Sequence, residues 1–152
     1  MKLFIAGSLS LLVLLQYQTW TEKKEISGPY TARVIKVTDG DTIRAYVRIW
    51  LGQQLEVGVR IKDIDTPEKK GKCLEESAKA EEATKFLSAW VRPGSLILLT
   101  NIKDDKYHGR IVADVSYSGN SVSVRMIGEG LALPYTGEGP KPDWCKILKN
   151  SP

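Results

Sequence analysis

The chain is predicted to be a β-rich α+β domain, a five-stranded barrel of the OB type carrying two to three helices. Three observations support this. Residues 30–61 hold three β-rich runs, residues 74–91 change to a helical period, and residues 95–117 return to two further β-rich runs before a short helix. Three strands, a helix, two strands and a helix is the order expected when a helix is inserted between the third and fourth strands of such a barrel.

The elements follow in order. Lys2 precedes an apolar run of about 13 residues, Leu3 to Leu15, which is the length of a signal-peptide h-region and short for a membrane span. Export to a periplasmic or secreted location is expected. Gln16-Tyr17-Gln18-Thr19-Trp20 offers no pair of small residues for cleavage, so a removed leader and an uncleaved N-terminal anchor both stand as readings of residues 1–24. The folded domain is assigned to residues 25–152. Tyr30 to Thr38 reads as the first strand, and Asp39-Gly40 as a tight turn in which glycine takes a positive φ. Thr42 to Trp50 alternates cleanly, with Ile43, Ala45, Val47 and Ile49 on one face and Arg44, Tyr46 and Arg48 on the other. Leu51 to Gln54 turns the chain into a third strand carrying Leu55, Val57, Val59 and Ile61, which runs to Thr66-Pro67.

The helix is expected from Leu74 to Val91, with Leu74, Ala78, Leu87 and Val91 on one stripe and Glu75/Lys79 and Glu81/Lys85 as pairs outside it. Arg92-Pro93-Gly94 ends it. Strands over Ser95–Ile102 and Arg110–Tyr117 flank a polar loop, a short helix covers Ser121 to about Glu129, and one turn of helix is expected near Asp143 to Leu148.

A length of 152 residues allows one domain with a proper core. The net charge of +4 fits an anionic partner and fits many proteins with none. Two cysteines, Cys73 and Cys145, are compatible with export. If they pair, they close a loop of about 70 residues, with a chain-entropy stabilisation of roughly 4 kcal/mol; the alternative is two free thiols. Two cysteines and one histidine, far apart, make no recognisable zinc ligand set.

The chemistry concentrates in Arg60 to Glu68, R-I-K-D-I-D-T-P-E. Proline has no N–H to donate, so the chain is expected to end its ladder in a stiff polar corner that holds Asp65 and Glu68, with Arg60 upstream. Carboxylates bind a hard cation and a guanidinium forks onto phosphate oxygens, so this set suits a site that holds both. His108 is the only histidine, which excludes mechanisms that need two. Asp39 and Asp41 could equally be ordinary hairpin-turn residues, and Arg60 and Arg110 surface residues paired with carboxylates.

Three blocks occur together: T-D-G-D-T (Thr38 to Thr42), V-R-I-K-D-I-D-T-P-E (Val59 to Glu68) and D-K-Y-H-G-R (Asp105 to Arg110). In this order and spacing they resemble the signature blocks of the staphylococcal nuclease family, over roughly Tyr30 to Tyr135. The resemblance implies a calcium-dependent phosphodiesterase of OB fold that cleaves DNA and RNA on the 5′ side of the phosphodiester and leaves 3′-phosphates. Carried over by position, Asp41, Asp65 and the backbone carbonyl of Thr66 would hold Ca²⁺. Glu68 would be the general base or would position the attacking water, and Arg60 and Arg110 would clamp the phosphate. Lys106, Tyr107 and Tyr135 would contact the nucleotide. His108 departs from the family pattern as an extra residue between the tyrosine and the glycine of K-Y-G-R, and the C-terminal part is shorter and richer in proline and glycine. The expected partner is DNA or RNA, with single strands preferred, acted on by a monomer. The rival reading is a non-catalytic OB-type module that only holds nucleic acid.

Overall fold

The computed structural model describes residues 25–150. The leader or anchor assigned to residues 1–24 lies outside the described residues. The elements are β1 Glu25–Ile26, β2 Tyr30–Asp39, β3 Thr42–Trp50, β4 Gln53–Ile61, β5 Ile64–Asp65, α1 Leu74–Trp90, β6 Leu96–Asp104, β7 Arg110–Tyr117, β8 Asn120–Ser121, α2 Val122–Gly128, β9 Leu133–Pro134 and α3 Trp144–Lys149.

Five long strands pair in the order β6-β2-β3-β4-β7, and β6 pairs with β7 to close the barrel. Every pairing in the ring is antiparallel except β4 with β7, which is parallel from Gly58↔Arg110 to Ile61↔Ala113. This is the OB-type arrangement expected from the element order, with α1 inserted between the third and fourth strands of the barrel. The two-residue period explains the interior. Ala32, Val34, Ile43, Ala45, Val57, Val59, Ile61, Ile97, Leu99, Ala113 and Val115 are buried, joined by Ala83 and Leu87 of α1 and Val122 and Met126 of α2.

Several local expectations are corrected. The helix does not bury Leu74, which is 86% exposed; its inward face is Glu76, Ala80, Ala83 and Leu87. A glutamate occupies an inward position because its carboxylate accepts the backbone N–H groups of Glu68 at 3.3 Å and Lys72 at 2.9 Å. A buried carboxylate with such donors loses less than an apolar pattern would suggest. Lys79 pairs with Glu82 at 2.9 Å rather than with Glu75, whereas Glu81 and Lys85 do approach, at 3.9 Å. The third strand stops at Ile61, short of the proline, because the chain turns at Asp63 (φ 62) before β5 pairs with β9. The β3–β4 hairpin also runs beyond the core, so Ile49, Trp50, Leu51 and Leu55 are exposed.

The two-residue turn between β2 and β3 is Gly40-Asp41, joining Asp39↔Thr42, and Gly40 is absent from the positive-φ glycines. Its glycine answers to space instead. A Cβ there would lie 2.9 Å from Cβ of Ala83 and 3.1 Å from the Thr66 side chain. This close approach of hairpin, helix and corner sets Gly40, the neighbour of Asp41, against Thr66.

Candidate functional site

Antiparallel pairing of β3 with β4 puts Thr42 opposite Arg60, and the Ile61 N–H donates to the Asp41 carbonyl at 2.8 Å. The first and second sequence blocks therefore meet. Asp41 is buried; Thr42 Oγ1 donates to its Oδ1 at 2.8 Å, and Arg60 Nη1 donates to its Oδ2. Arg60 Nη2 donates to the Ile64 carbonyl at 3.3 Å and stands 3.9 Å from Asp65 Oδ1. One guanidinium thus spans the two buried carboxylates. The third block arrives through β7. Gly58 has no side chain where a Cβ would press at 3.3 Å on Arg110 Cγ, so the arginine stem lies directly over β4.

These residues enclose a cleft of about 730 Å³, walled by Asp41, Arg60, Thr66, Glu68, Lys106, Tyr107, Arg110, Tyr135 and Lys141, among others. Asp65, 2% exposed, lies just behind that wall. The structure thus gathers at this cleft the residues expected to act on substrate and cation, with Asp65 reaching it through Arg60 and Lys141, while Cys73 and Cys145 line no part of it. Arg110 donates Nε–H to Asp105 Oδ2 at 2.6 Å and stacks over the Tyr107 ring at 4.5 Å, with Lys106 Nζ 5.3 Å from the same ring. Burial alone would raise the Asp105 carboxyl, but Arg110 and the backbone N–H groups of Tyr107 and Lys106 hold it below its ordinary range. His108 is exposed and lines no part of the cleft. Tyr135 donates its hydroxyl to the Gly139 carbonyl at 3.0 Å, bracing the Pro- and Gly-rich strap that follows β9.

That strap and the start of α3 supply two residues that no sequence pattern marks. Lys141 Nζ lies 2.8 Å from Glu68 Oε1 and 3.2 Å from Asp65 Oδ1. Burial would lower the Lys141 ammonium, but Glu68 and Asp65 hold it above its usual pKa. Trp144, 4% exposed, donates Nε1–H to Asp65 Oδ2 at 2.9 Å. Asp65 Oδ1 is buried with no hydrogen bond, only the charges of Lys141 and Arg60 nearby. Cys73 and Cys145 are bonded to each other, and among the described residues no cysteine is free.

Burial pushes Asp41 up from 3.8 to about 6, against the pull of the Arg60 guanidinium, with the neighbouring Asp39 adding to the rise. A carboxyl raised on folding binds protons more readily in the folded chain. Its contribution to stability is therefore greatest below about pH 4, falls as pH rises to about 6, and above that leaves a cost on the order of 3 kcal/mol. In excess chelator, Asp41→Asn is expected to stabilise the fold at about pH 7 by roughly 1–3 kcal/mol and to bring no gain near pH 4. Urea unfolding of both proteins at the two pH values checks this.

The family model described as "Staphylococcal nuclease homologue" matches residues 58–149. The chain belongs to the staphylococcal nuclease homologue family. The match begins at Gly58 beneath Arg110 and ends at the last residue of α3, so for this homologue it takes in the corner, α1, β7 and the strap that carries Lys141 and Trp144. The chain is also similar to a Haemophilus influenzae (strain ATCC 51907 / DSM 11121 / KW20 / Rd) protein named "Uncharacterized endonuclease", at 29% identity over 121 residues. That alignment covers 80% of this chain and 61% of the relative, so the chain spans about three-fifths of the length of the curated relative it matches.

Proposed function

We propose that this protein is an exported, calcium-dependent nuclease that hydrolyses phosphodiester bonds of DNA and RNA, cutting on the 5′ side and leaving 3′-phosphates. The observation that carries the reading is the pair of buried carboxylates, Asp41 and Asp65, spanned by Arg60 beneath a cleft that holds Glu68 and Arg110. Membership of the family and the relative's name support it.

The donor set suits a hard cation. Asp41, Asp65 and the Thr66 carbonyl offer oxygen only, and the buried Asp65 Oδ1, answered here only by the side-chain charges of Lys141 and Arg60, is the kind of atom a cation would satisfy. When bound, Ca²⁺ would neutralise phosphate charge and favour attack at phosphorus. Glu68, at the rim and 62% exposed along its side chain, takes the proton of the attacking water. The bond from phosphorus to the 5′ oxygen breaks, giving a 5′-hydroxyl and a 3′-phosphate. Arg110, whose Nε is committed to Asp105, keeps its two terminal nitrogens for phosphate oxygens, and Arg60 adds a second guanidinium where charge builds. Lys106, Tyr107 and Tyr135 line the same cleft and would meet the nucleotide, with Tyr107 half exposed and able to stack on a base. A base must be splayed for its phosphate to reach the corner, so single strands are the preferred substrate of a monomer. Residues 1–24 would provide the export signal or a membrane tether.

The protein is tested on native DNA, heat-denatured DNA and RNA, in Ca²⁺ and in excess chelator. Degradation confined to Ca²⁺ and faster on denatured DNA is expected. Tight binding without cleavage in any divalent cation would leave an OB-type binding module and refute the enzyme; equal rates on native and denatured DNA would remove the strand preference.

A further inference from the structure

The proposed reaction makes no use of Trp144, yet its buried indole is tied to Asp65 Oδ2. A carboxylate fixed by one oxygen presents the other in one direction, and here the other is Oδ1, which faces the charges of Lys141 at 3.2 Å and Arg60 at 3.9 Å. The six-residue α3 that carries the indole is too short to hold itself. Its next residue, Cys145, is bonded to Cys73, the N-cap of α1. Three residues further on, Glu76 accepts the Glu68 N–H at 3.3 Å, and Cys145 Sγ lies 3.4 Å from Glu76 Oε2. A single covalent link therefore joins the support of Asp65 to the support of Glu68.

We propose that Trp144 is a positioning residue for the divalent-cation site, and that the Cys73–Cys145 disulfide sets cation affinity by holding the indole on Asp65. The inference rests on the proposed function in taking Asp65 as a cation ligand. A dithiol switches the site down: it gives two electrons and two protons to the S–S bond, which becomes two thiols, and is itself oxidised to a cyclic disulfide. The freed α3 then withdraws the indole.

The test is calorimetric titration of the full chain with Ca²⁺, without nucleic acid, for wild type and Trp144→Phe, each oxidised and treated with dithiothreitol. Phenylalanine keeps most of the apolar contact and removes the donor. The oxidised variant is expected to bind Ca²⁺ about 10-fold more weakly or worse. Reduction should weaken the wild type by a similar factor and the variant by much less, because both changes remove one interaction. Cleavage by the variant should fall at low Ca²⁺ and recover as Ca²⁺ is raised, which a loss of folded protein would not do. Equal Ca²⁺ affinity of wild type and variant would overturn the proposal and leave the nuclease standing. An equal loss on reduction in both, or unfolding on reduction, would overturn the redox half. A wild type that binds no divalent cation overturns the cation reading of Asp65 and this proposal with it.

Discussion

Glu68→Gln is expected to lower cleavage of denatured DNA by roughly 10²–10⁴-fold while leaving the fold and nucleic-acid binding in place. The glutamine fills the same volume and can still accept from Lys141, but it cannot take a proton from water. The side chain is 62% exposed, so the stability change should stay within about 0.5 kcal/mol. Removal of a negative charge from the cleft should leave affinity for single-stranded DNA equal or slightly higher. Single-turnover rates beside a binding titration separate the two effects. A variant that retains a tenth of the wild-type rate would move the general base to another group.

Arg60→Ala is expected to act twice. The guanidinium is shared by Asp41 and Asp65, both buried; its loss strands Asp41 and leaves Asp65 to Lys141 at 3.2 Å and the Trp144 indole. Breaking a buried ion pair from one side costs about 3–5 kcal/mol, and loss of a preorganised donor at the phosphate costs about 10²–10³-fold in rate. A cation held by Asp41 and Asp65 replaces the missing charge, so Ca²⁺ should raise the melting temperature of the variant far more than that of the wild type. Arg110→Ala provides the contrast: a similar rate loss with less damage to the fold, since Asp105 keeps the backbone N–H groups of Lys106 and Tyr107. Melting curves with and without Ca²⁺ decide the matter. A Ca²⁺ shift no larger in Arg60→Ala than in wild type would separate Arg60 from the cation site.

The barrel and the corner were legible because their signals are local. Alternation marks β2, β3, β4, β6 and β7, and an antiparallel β3–β4 hairpin brings the Asp41 end of β3 to the Arg60 end of β4. The register that sets Thr42 against Arg60 rather than Ile61 comes from a shift between Arg48 and Trp50 that the alternation does not mark. Arg110 follows from the start of β7. Glu76 escaped because an inward glutamate breaks the apolar stripe on which a helix face is read, and its two backbone partners lie outside the helix. Gly40 was assigned to φ when its neighbours Ala83 and Thr66 demanded space, a tertiary fact. Lys141 and Trp144 sit in and after a Pro- and Gly-rich strap with no period, so no pattern ties them to the corner; the cysteine beside Trp144 was the one hint of where that strap goes.

The hydrogen bond from Trp144 to Asp65 spans 79 positions of sequence. A ribosome releases the barrel strands, Glu68 and Arg110 well before it releases the indole. The nascent chain therefore carries its acids and arginines for some time with the innermost carboxylate unsupported. The support of Asp65 is complete only once Trp144 has been made, so the corner acquires its full set of contacts after the strands of the barrel that carries it.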